Sequence, residues 1–204
     1  MIRALRASGE DWCCLKILIV SDVESELLLN HFDENCFDDV DVILGAGDLH
    51  YSYLQAVKRN IKKDLFFVKG NHDQFKTRLF DSEFIEWRCI ECNGVRILGI
   101  GCMTYRGRIL SEKQMSIRLA LLNKKIKKSG GVDIVVSHFP LDGLGDGIDE
   151  SHKGYFVLKE FVEKVSPKYF IYGHNHLSYG RNDRITHFKD TVLINAYEKY
   201  VLTL

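Results

Sequence analysis

The amino-acid sequence predicts an α/β protein with two mixed β-sheets and helices on the outside. Short apolar runs alternate with helical patterns between Lys16 and Tyr172, which is typical of α/β layers. Several of these runs are apolar throughout, as strands buried on both faces are. Strand-like segments around Asn93-Gly94, and others in succession at the C-terminus, add antiparallel pairing, so we expect the sheets to be mixed.

The strands and helices follow from the pattern of each segment. Continuous apolar character predicts buried strands at Lys16 to Val20, Val40 to Leu44, Asp64 to Val68, Asp133 to Val136 and Tyr169 to Tyr172. A spacing of three to four residues predicts helices at Ser25 to Phe32, Tyr51 to Ile61, Glu112 to Lys128 and Tyr155 to Val165. The predicted hairpin consists of Glu86 to Cys92 and Val95 to Ile100. The predicted C-terminal strands are Arg184 to Lys189, Thr191 to Asn195 and Tyr200 to Leu204.

Composition limits the classes of protein to consider. The 204 residues are 46% hydrophobic, which suits one domain over residues 16–204, preceded by an N-terminal extension over residues 1–15. The 28 basic and 28 acidic residues cancel, so stable binding to nucleic acid is not expected. No apolar run reaches the roughly 18 to 20 residues that span a bilayer, so no membrane association is expected. Cys89 and Cys92 have no second such pair, which favours reduced thiols and a cytoplasmic location.

Polar side chains follow each of the five buried strands. In chain order they are Asp22 and Glu24; Asp48; Asn71, His72 and Asp73; His138; and His174 and His176. Ligands of α/β proteins gather where strands end, and carboxylate, amide and imidazole groups bind divalent cations. Any one of these residues alone is most simply a turn or a helix cap, but all five strand ends together predict a metal site.

Two interpretations of Glu24 remain open at this point. Ser21 and Glu24 have the spacing of a capping box, in which each side chain satisfies a free backbone N–H at the start of a helix. Alternatively, Glu24 is a metal ligand beside Asp22.

The set of motifs resembles the calcineurin-like metallophosphoesterases. Their signature runs Asp-x-His, Gly-Asp, Gly-Asn-His-Asp or Gly-Asn-His-Glu, a lone His and then Gly-His-x-His, and this chain follows that order from Asp22 to His176. The resemblance implies a four-layer αββα sandwich over residues 16–204, with a two-metal centre at one edge.

The resemblance also implies a role for each residue of the motifs. The first metal ion would be held by Asp22, Glu24, Asp48 and His176. The second would be held by Asp48, Asn71, His138 and His174. His72 would protonate or stabilise the leaving oxygen, with Asp73 orienting its ring.

Glu24 departs from the common family pattern, which ends the first motif in His. The chain is similar in this respect to a small bacterial subgroup with Asp-x-Glu. The centre is expected to hold two divalent metal ions. A third carboxylate favours harder ions, so Mn²⁺ is the preferred metal, with Mg, Fe, Zn or Ni as alternatives.

The implied function is that of a phosphoester hydrolase that acts on a small phosphorylated substrate by attack of a metal-bridging hydroxide. A phosphodiester or nucleotide-type substrate is favoured over a phosphomonoester, because no cap domain is evident. The alternative function is that of a noncatalytic scaffold, which is the role of a retromer subunit with this fold. A DNA repair nuclease would need further DNA-binding regions. The sequence gives no indication of oligomeric state.

Two loop residues are candidates for binding the substrate. Arg106, in the segment Gly101 to Gly107, is expected in a loop with Tyr105, where its guanidinium group could bind phosphate oxygens. His152 lies in the long glycine-rich connection from Pro140 to Tyr155, and its setting resembles a His-x-Gly segment of small cyclic-nucleotide phosphodiesterases. The plainer alternative is that this segment only leads into the next helix.

Overall fold

The computed structural model describes residues 15–30, 32–33, 36–73, 83–105, 108–147, 152–177 and 183–204. Within these ranges the strands are β1 (Lys16–Ser21), β2 (Val42–Gly45), β3 (Asp64–Phe67), β4 (Arg88–Cys92), β5 (Val95–Gly101), β6 (Thr104–Tyr105), β7 (Arg108–Ile109), β8 (Ile134–Ser137), β9 (Tyr169–Tyr172), β10 (Ile185–Phe188), β11 (Thr191–Asn195) and β12 (Glu198–Thr203). The helices are α1 (Glu26–Leu29), α2 (Tyr51–Ile61), α3 (Glu112–Lys128) and α4 (Phe156–Val165). Arg106 and residues 1–14 of the expected extension lie outside the described residues.

The strands form two mixed sheets and a small ribbon. The first sheet has the order β12-β1-β2-β3, and the second has the order β10-β11-β9-β8-β5-β4. Neighbours pair in parallel inside each sheet, while β12, β4 and β10 pair antiparallel at the edges. The hairpin across Asn93-Gly94 is formed by β4 and β5, as predicted.

Alternate side chains of each buried strand pack into different layers. In β1, Ile17 and Ile19 pack in the cluster between the two sheets, whereas Leu18 and Val20 pack with buried residues of α1 and α2. A third cluster joins the outer face of the second sheet to α3 and α4. Three apolar clusters therefore separate four layers, which confirms the αββα sandwich.

The observed elements differ from the sequence prediction at several points. Helix α1 has only one turn, because it starts at Glu26 and ends at Leu29. Strand β12 does not join β10 and β11 in the second sheet. It pairs with β1 in the first sheet. Tyr105 belongs to the two-residue strand β6 and pairs with Arg108, so its predicted loop position is wrong. A strand of two residues is too short to produce an alternating pattern.

The cysteines of the described residues are free thiols, namely Cys36, Cys89, Cys92 and Cys102. Among the described helices, none combines the length and the apolar character that crossing a bilayer requires.

Glu86 is a buried carboxyl group beside the end of β5. Its Oε1 atom has no hydrogen-bond partner among the described residues, and a Cβ atom on Gly101 would lie 1.9 Å from it. Burial raises the pKa of Glu86 from 4.5 to about 8, against the lowering effects of the Cys102 backbone N–H and of Lys69 and Arg118. At pH values between 4.5 and about 8, Glu86 therefore keeps its proton in the native protein but releases it in the unfolded chain.

This raised pKa predicts that Glu86 costs stability as the pH rises. Between about pH 4.5 and 8 the native state binds more protons than the unfolded state, so the free energy of unfolding falls as pH increases. Glu86→Gln is expected to remove this dependence and to be more stable than wild type at pH 8 by about 1–4 kcal/mol, with no such gain at pH 4. Urea denaturation across this range measures the effect, with Glu91→Gln on exposed β4 as the control. Parallel pH profiles for wild type and Glu86→Gln would contradict it.

Candidate metal centre

The polar residues predicted from the strand ends lie where the two sheets meet at one edge. Just beyond the ends of β1 and β2, the backbone N–H of Asp22 donates to the carbonyl oxygen of Gly47 over 3.1 Å. Just beyond the ends of β8 and β9 in the second sheet, the N–H of Gly173 donates to the carbonyl oxygen of His138 over 3.0 Å. The ring of His138 then contacts Ala46 of the first sheet, so the strand ends of both sheets form one site.

His138 is fully buried at the centre of this edge. Its Nδ1 atom lies 2.9 Å from the carbonyl oxygen of Ala46, which can only accept, so Nδ1 carries the proton. Its Nε2 atom lies 2.9 Å from Oδ1 of Asn71 and 3.2 Å from Oδ2 of Asp48. If the imidazole were neutral, the lone pair of Nε2 would thus face Oδ1 of Asn71 and Oδ2 of Asp48, which can only accept hydrogen bonds. The arrangement requires a cation there, either a proton on Nε2 or a metal ion.

The pKa shifts of Asp48 and His138 show the same requirement. Burial alone would lower the pKa of His138, but the hydrogen bond and charge of Asp48 outweigh burial and raise it. Burial would raise the pKa of Asp48, yet contacts with His138 and His72 outweigh it and lower the pKa. Without metal, an ion pair between protonated His138 and ionised Asp48 therefore balances the charge at this point.

Asp48 and His174 bring further ligand atoms to the same place. One ligand atom from each of Asp48, His138 and His174 lies within 4.8 Å of the others. The remaining oxygen of Asp48, Oδ1, accepts a hydrogen bond of 2.8 Å from the backbone N–H of His72. This group of three residues has a spacing that a single cation can bridge.

Asp22 has a carboxylate oxygen left over. Its Oδ1 atom accepts from the backbone N–H of His174 over 2.9 Å, but its buried Oδ2 atom has no hydrogen-bond partner among the described residues. Burial raises the pKa of Asp22, against the lowering effects of His138, of the nearby Ser21 hydroxyl and of the backbone N–H of His174. Buried acceptors without a partner are rare, and a cation would satisfy this one.

The backbone at the site is held in an unusual conformation. Asp22, Asp48 and His174 have φ angles of 65°, 55° and 69°, in the left-handed region that non-glycine residues avoid. Two glycines leave room for the carboxylates, since a Cβ atom on Gly173 would lie 2.7 Å from Oδ2 of Asp22 and one on Gly70 would lie 2.0 Å from Oδ1 of Asp48. Strain of this kind is concentrated at functional sites.

The structure decides against the capping box at Glu24. Ser21 is the last residue of β1, and its hydroxyl group donates to the carbonyl oxygen of Gly47 over 3.2 Å. Helix α1 begins only at Glu26 with Ser25 at the N-cap, so Glu24 precedes the helix. Glu24 instead lies 2.9 Å from Nδ1 of His50 through its Oε1 atom. Its role as a metal ligand remains a prediction.

His72 and Asp73 follow the strand end at β3. The imidazole of His72 is 81% exposed, and its Nε2 atom lies 3.9 Å from Oδ2 of Asp48. Asp73 accepts hydrogen bonds at Oδ2 from the backbone N–H groups of Gly70 (2.8 Å) and Asp48 (2.9 Å). Among the described residues, the ring of His72 donates no hydrogen bond to Asp73. Asp73 thus fixes the loops that carry the site, and its role in orienting the ring of His72 stays a prediction.

The rings of His174, His152 and His176 lie against other aromatic rings of the chain. The ring of His174 lies 4.4 Å from Phe139 and 5.2 Å from His152, centroid to centroid. The ring of His176 lies 4.6 Å from that of Tyr197. His152 is therefore next to a predicted ligand, and its role in substrate binding stays a prediction.

Asn175 connects the long loop after β8 to the site. Its Nδ2 atom donates to the carbonyl oxygen of Gly145 over 2.6 Å, and the carbonyl oxygen of His152 lies 3.5 Å away. Its own backbone carbonyl accepts from Nδ2 of Asn195 over 2.7 Å.

A cleft of about 610 Å³ opens above the buried group. It is lined by residues that follow β1, β2 and β3, namely Asp22, Glu24, Asp48, Leu49, His50, Tyr51, Ser52, His72 and Asp73. A small ester fits in this volume.

A family model described as calcineurin-like phosphoesterase matches residues 15–178. The chain belongs to the calcineurin-like phosphoesterase family. Members of this family depend on metal ions, and the Asp48, His138 and His174 group is the candidate ligand set of this phosphoesterase-family chain. A comparison with curated proteins finds no match.

Solved structures show the same fold at low sequence identity. The protein TT1561 of Thermus thermophilus is 10% identical, with 94% of this chain and 99% of that chain covered and a TM-score of 0.61. GAP50, the anchor in the inner membrane complex of Plasmodium, is 12% identical, with 90% and 71% covered and a TM-score of 0.56. These likenesses concern the fold alone.

The structure places eight of the predicted residues close together, namely Asp22, Glu24, Asp48, Asn71, His72, Asp73, His138 and His174, and it places the ring of His176 beside Tyr197. Their roles stay predictions. Sequence reasoning missed His50, Tyr197 and Asn175. His50 could have been found, because it follows Asp48 by two residues in the same loop. Nothing in the sequence pattern distinguishes Tyr197 from other half-buried tyrosines.

Proposed function

We propose that this protein is a metal-dependent hydrolase of a small phosphoester. The observation that carries the proposal is the convergence of ligand atoms from Asp48, His138 and His174 within 4.8 Å of one another. Nε2 of His138 faces Oδ1 of Asn71 and Oδ2 of Asp48, so a metal ion would take the place of the proton that Nε2 otherwise carries. The Oδ2 atom of Asp22, which has no hydrogen-bond partner in the described part of the chain, adds a second position for a cation. This donor set fits divalent cations, since it combines carboxylate, amide and imidazole groups.

Two ions would be held by the residues that follow the strands. The first would be bound by Asp22, Glu24, Asp48 and His176, and the second by Asp48, Asn71, His138 and His174. When bound, such ions neutralise charge on the phosphoryl oxygens and make a water molecule nucleophilic near neutral pH.

The residues of the chain perform the other parts of the reaction. The carbonyl oxygen of Ala46 keeps the proton of His138 on Nδ1, which leaves Nε2 free as a ligand. Asp73 holds the backbone of Gly70 and Asp48, so the loops carrying Asp48 and His72 keep their relative positions. The exposed imidazole of His72 lines the cleft and would give a proton to the leaving oxygen.

A small phosphodiester or nucleotide-type ester is the substrate class that we favour over a phosphomonoester. The cleft beside His72 is open and extends to Tyr51 and Ser52, which leaves room for groups on both sides of the phosphorus atom. His152 would contact one of these groups from beside His174. We further propose that the protein works in the cytoplasm on a soluble substrate.

Turnover of a model diester and a model monoester with added Mn²⁺ tests the function. Wild type is expected to hydrolyse the diester faster and to lose activity in the presence of a chelator. A wild-type protein that binds metal but hydrolyses neither ester would contradict catalysis and favour a scaffold role.

The carboxylate of Glu24 predicts a preference for Mn²⁺ over Zn²⁺ in the first site. Glu24→His replaces a hard oxygen ligand by a borderline nitrogen, so the variant is expected to bind a lower ratio of Mn²⁺ to Zn²⁺ than wild type. Elemental analysis after dialysis against equal concentrations of both ions measures this ratio. Glu26→His, at the exposed start of α1, is the control. An unchanged ratio would show that Glu24 does not select the metal.

A further inference from the structure

The contact between Glu24 and His50 joins two loops at the rim of the cleft. Nδ1 of His50 lies 2.9 Å from Oε1 of Glu24, although the two residues are 26 positions apart. A carboxylate can only accept, so His50 carries its proton on Nδ1 and donates it. Both side chains line the cleft that also contains Asp22 and Asp48.

The position of His50 in the fold is fixed although its side chain is 86% exposed. It is the N-cap residue of the eleven-residue helix α2, and this helix is anchored by the buried side chains of Tyr53, Leu54 and Val57. It also follows Asp48 by two residues. One short loop therefore carries both a proposed bridging ligand and the partner of Glu24.

We infer that His50 is a positioning residue that holds Glu24 for metal binding. The inference rests on the proposed function, because it assumes that Glu24 is a ligand. Glu24 is long and its side chain is 39% exposed, so without a partner it would lose much rotamer freedom on binding a cation. The hydrogen bond to His50 restrains Oε1 in advance and leaves Oε2 for the ion. Hydrogen-bonded partners of metal ligands commonly contribute 10- to 100-fold to affinity.

Titration with Mn²⁺, followed by calorimetry and elemental analysis, tests this role without relying on activity. His50→Ala is expected to weaken the binding of one of the two ions by about 10- to 100-fold. His50→Asn is expected to restore binding, because its amide N–H occupies a position similar to Nδ1–H and can donate to Glu24. In a Glu24→Ala background, His50→Ala should have no further effect. His187→Ala, on exposed β10, is the control and should bind as wild type does.

The outcomes separate the inference from the proposed function. If wild type binds two ions and His50→Ala binds both with unchanged affinity, the positioning role is wrong and the proposed function stands. A wild type that binds no Mn²⁺ would overturn both. Equal weakening by His50→Ala with and without Glu24 would show that His50 acts independently of Glu24, and would also overturn the inference.

Discussion

Asp48→Asn is expected to reduce kcat/KM for the model diester by at least about 10³-fold. The carboxylate of Asp48 has two uses: Oδ1 accepts from the N–H of His72, and Oδ2 faces Nε2 of His138. An amide retains one acceptor but loses the negative charge, so it cannot hold two cations together. Metal ions contribute several kcal/mol to stabilising the transition state, which corresponds to this factor. Steady-state kinetics and elemental analysis measure the two losses together.

The matched control for this variant is Asp64→Asn. Asp64 is an exposed residue at the start of β3, whereas the site lies where β3 ends. The control is expected to keep both metal content and activity. If Asp48→Asn kept the wild-type rate and two bound ions, Asp48 would not be the bridging ligand, and the proposed arrangement of the centre would be wrong.

The layers of the fold could be predicted from the sequence because burial leaves a clear pattern. Strand β1 is apolar throughout, since Ile17 and Ile19 pack between the sheets while Leu18 and Val20 pack under helices. The bounds of α2 and α3 agree with the prediction because each helix has an apolar face of sufficient length. Helix α1 has a single turn, so its bounds depend on tertiary contacts that the pattern does not contain.

Which residues lie near the site could be predicted for a similar reason, but the geometry of the site could not. Parallel strands bring their carboxyl ends to one edge, so residues after five strands had to lie near one another. The positive φ angles of Asp22, Asp48 and His174 are imposed by the surrounding structure and oppose local preference. The partners of Asp73 are backbone N–H groups, which carry no sequence signal.

Glu24 shows how a local pattern is overridden by its surroundings. The spacing of Ser21 and Glu24 suits a capping box, yet Ser21 completes β1 and pairs with Glu198 of β12. Strand pairing and the hydrogen bond to Gly47 therefore determine the conformation of Ser21. Glu24 then reaches His50, a contact between residues far apart in the chain that no local rule predicts.

His72→Ala is expected to slow hydrolysis by about 10²- to 10⁴-fold, the usual contribution of a general acid. The variant keeps its backbone N–H, so the hydrogen bond to Oδ1 of Asp48 is retained and only the imidazole is lost. Because the ring is 81% exposed, its removal leaves no cavity in the core. Metal content and the free energy of unfolding are therefore expected to match wild type, and His187→Ala is the control for loss of an exposed imidazole.

The dependence on the leaving group separates proton donation from other roles of His72. An alkyl ester leaves as a strongly basic alkoxide that needs a proton, whereas a nitrophenyl ester leaves as a stable anion that does not. The loss in His72→Ala is therefore expected to be large for the alkyl diester and small for the nitrophenyl diester. An equal loss for both esters would show that the imidazole stabilises charge on the phosphoryl group or binds the substrate, because those contributions do not depend on the basicity of the leaving oxygen.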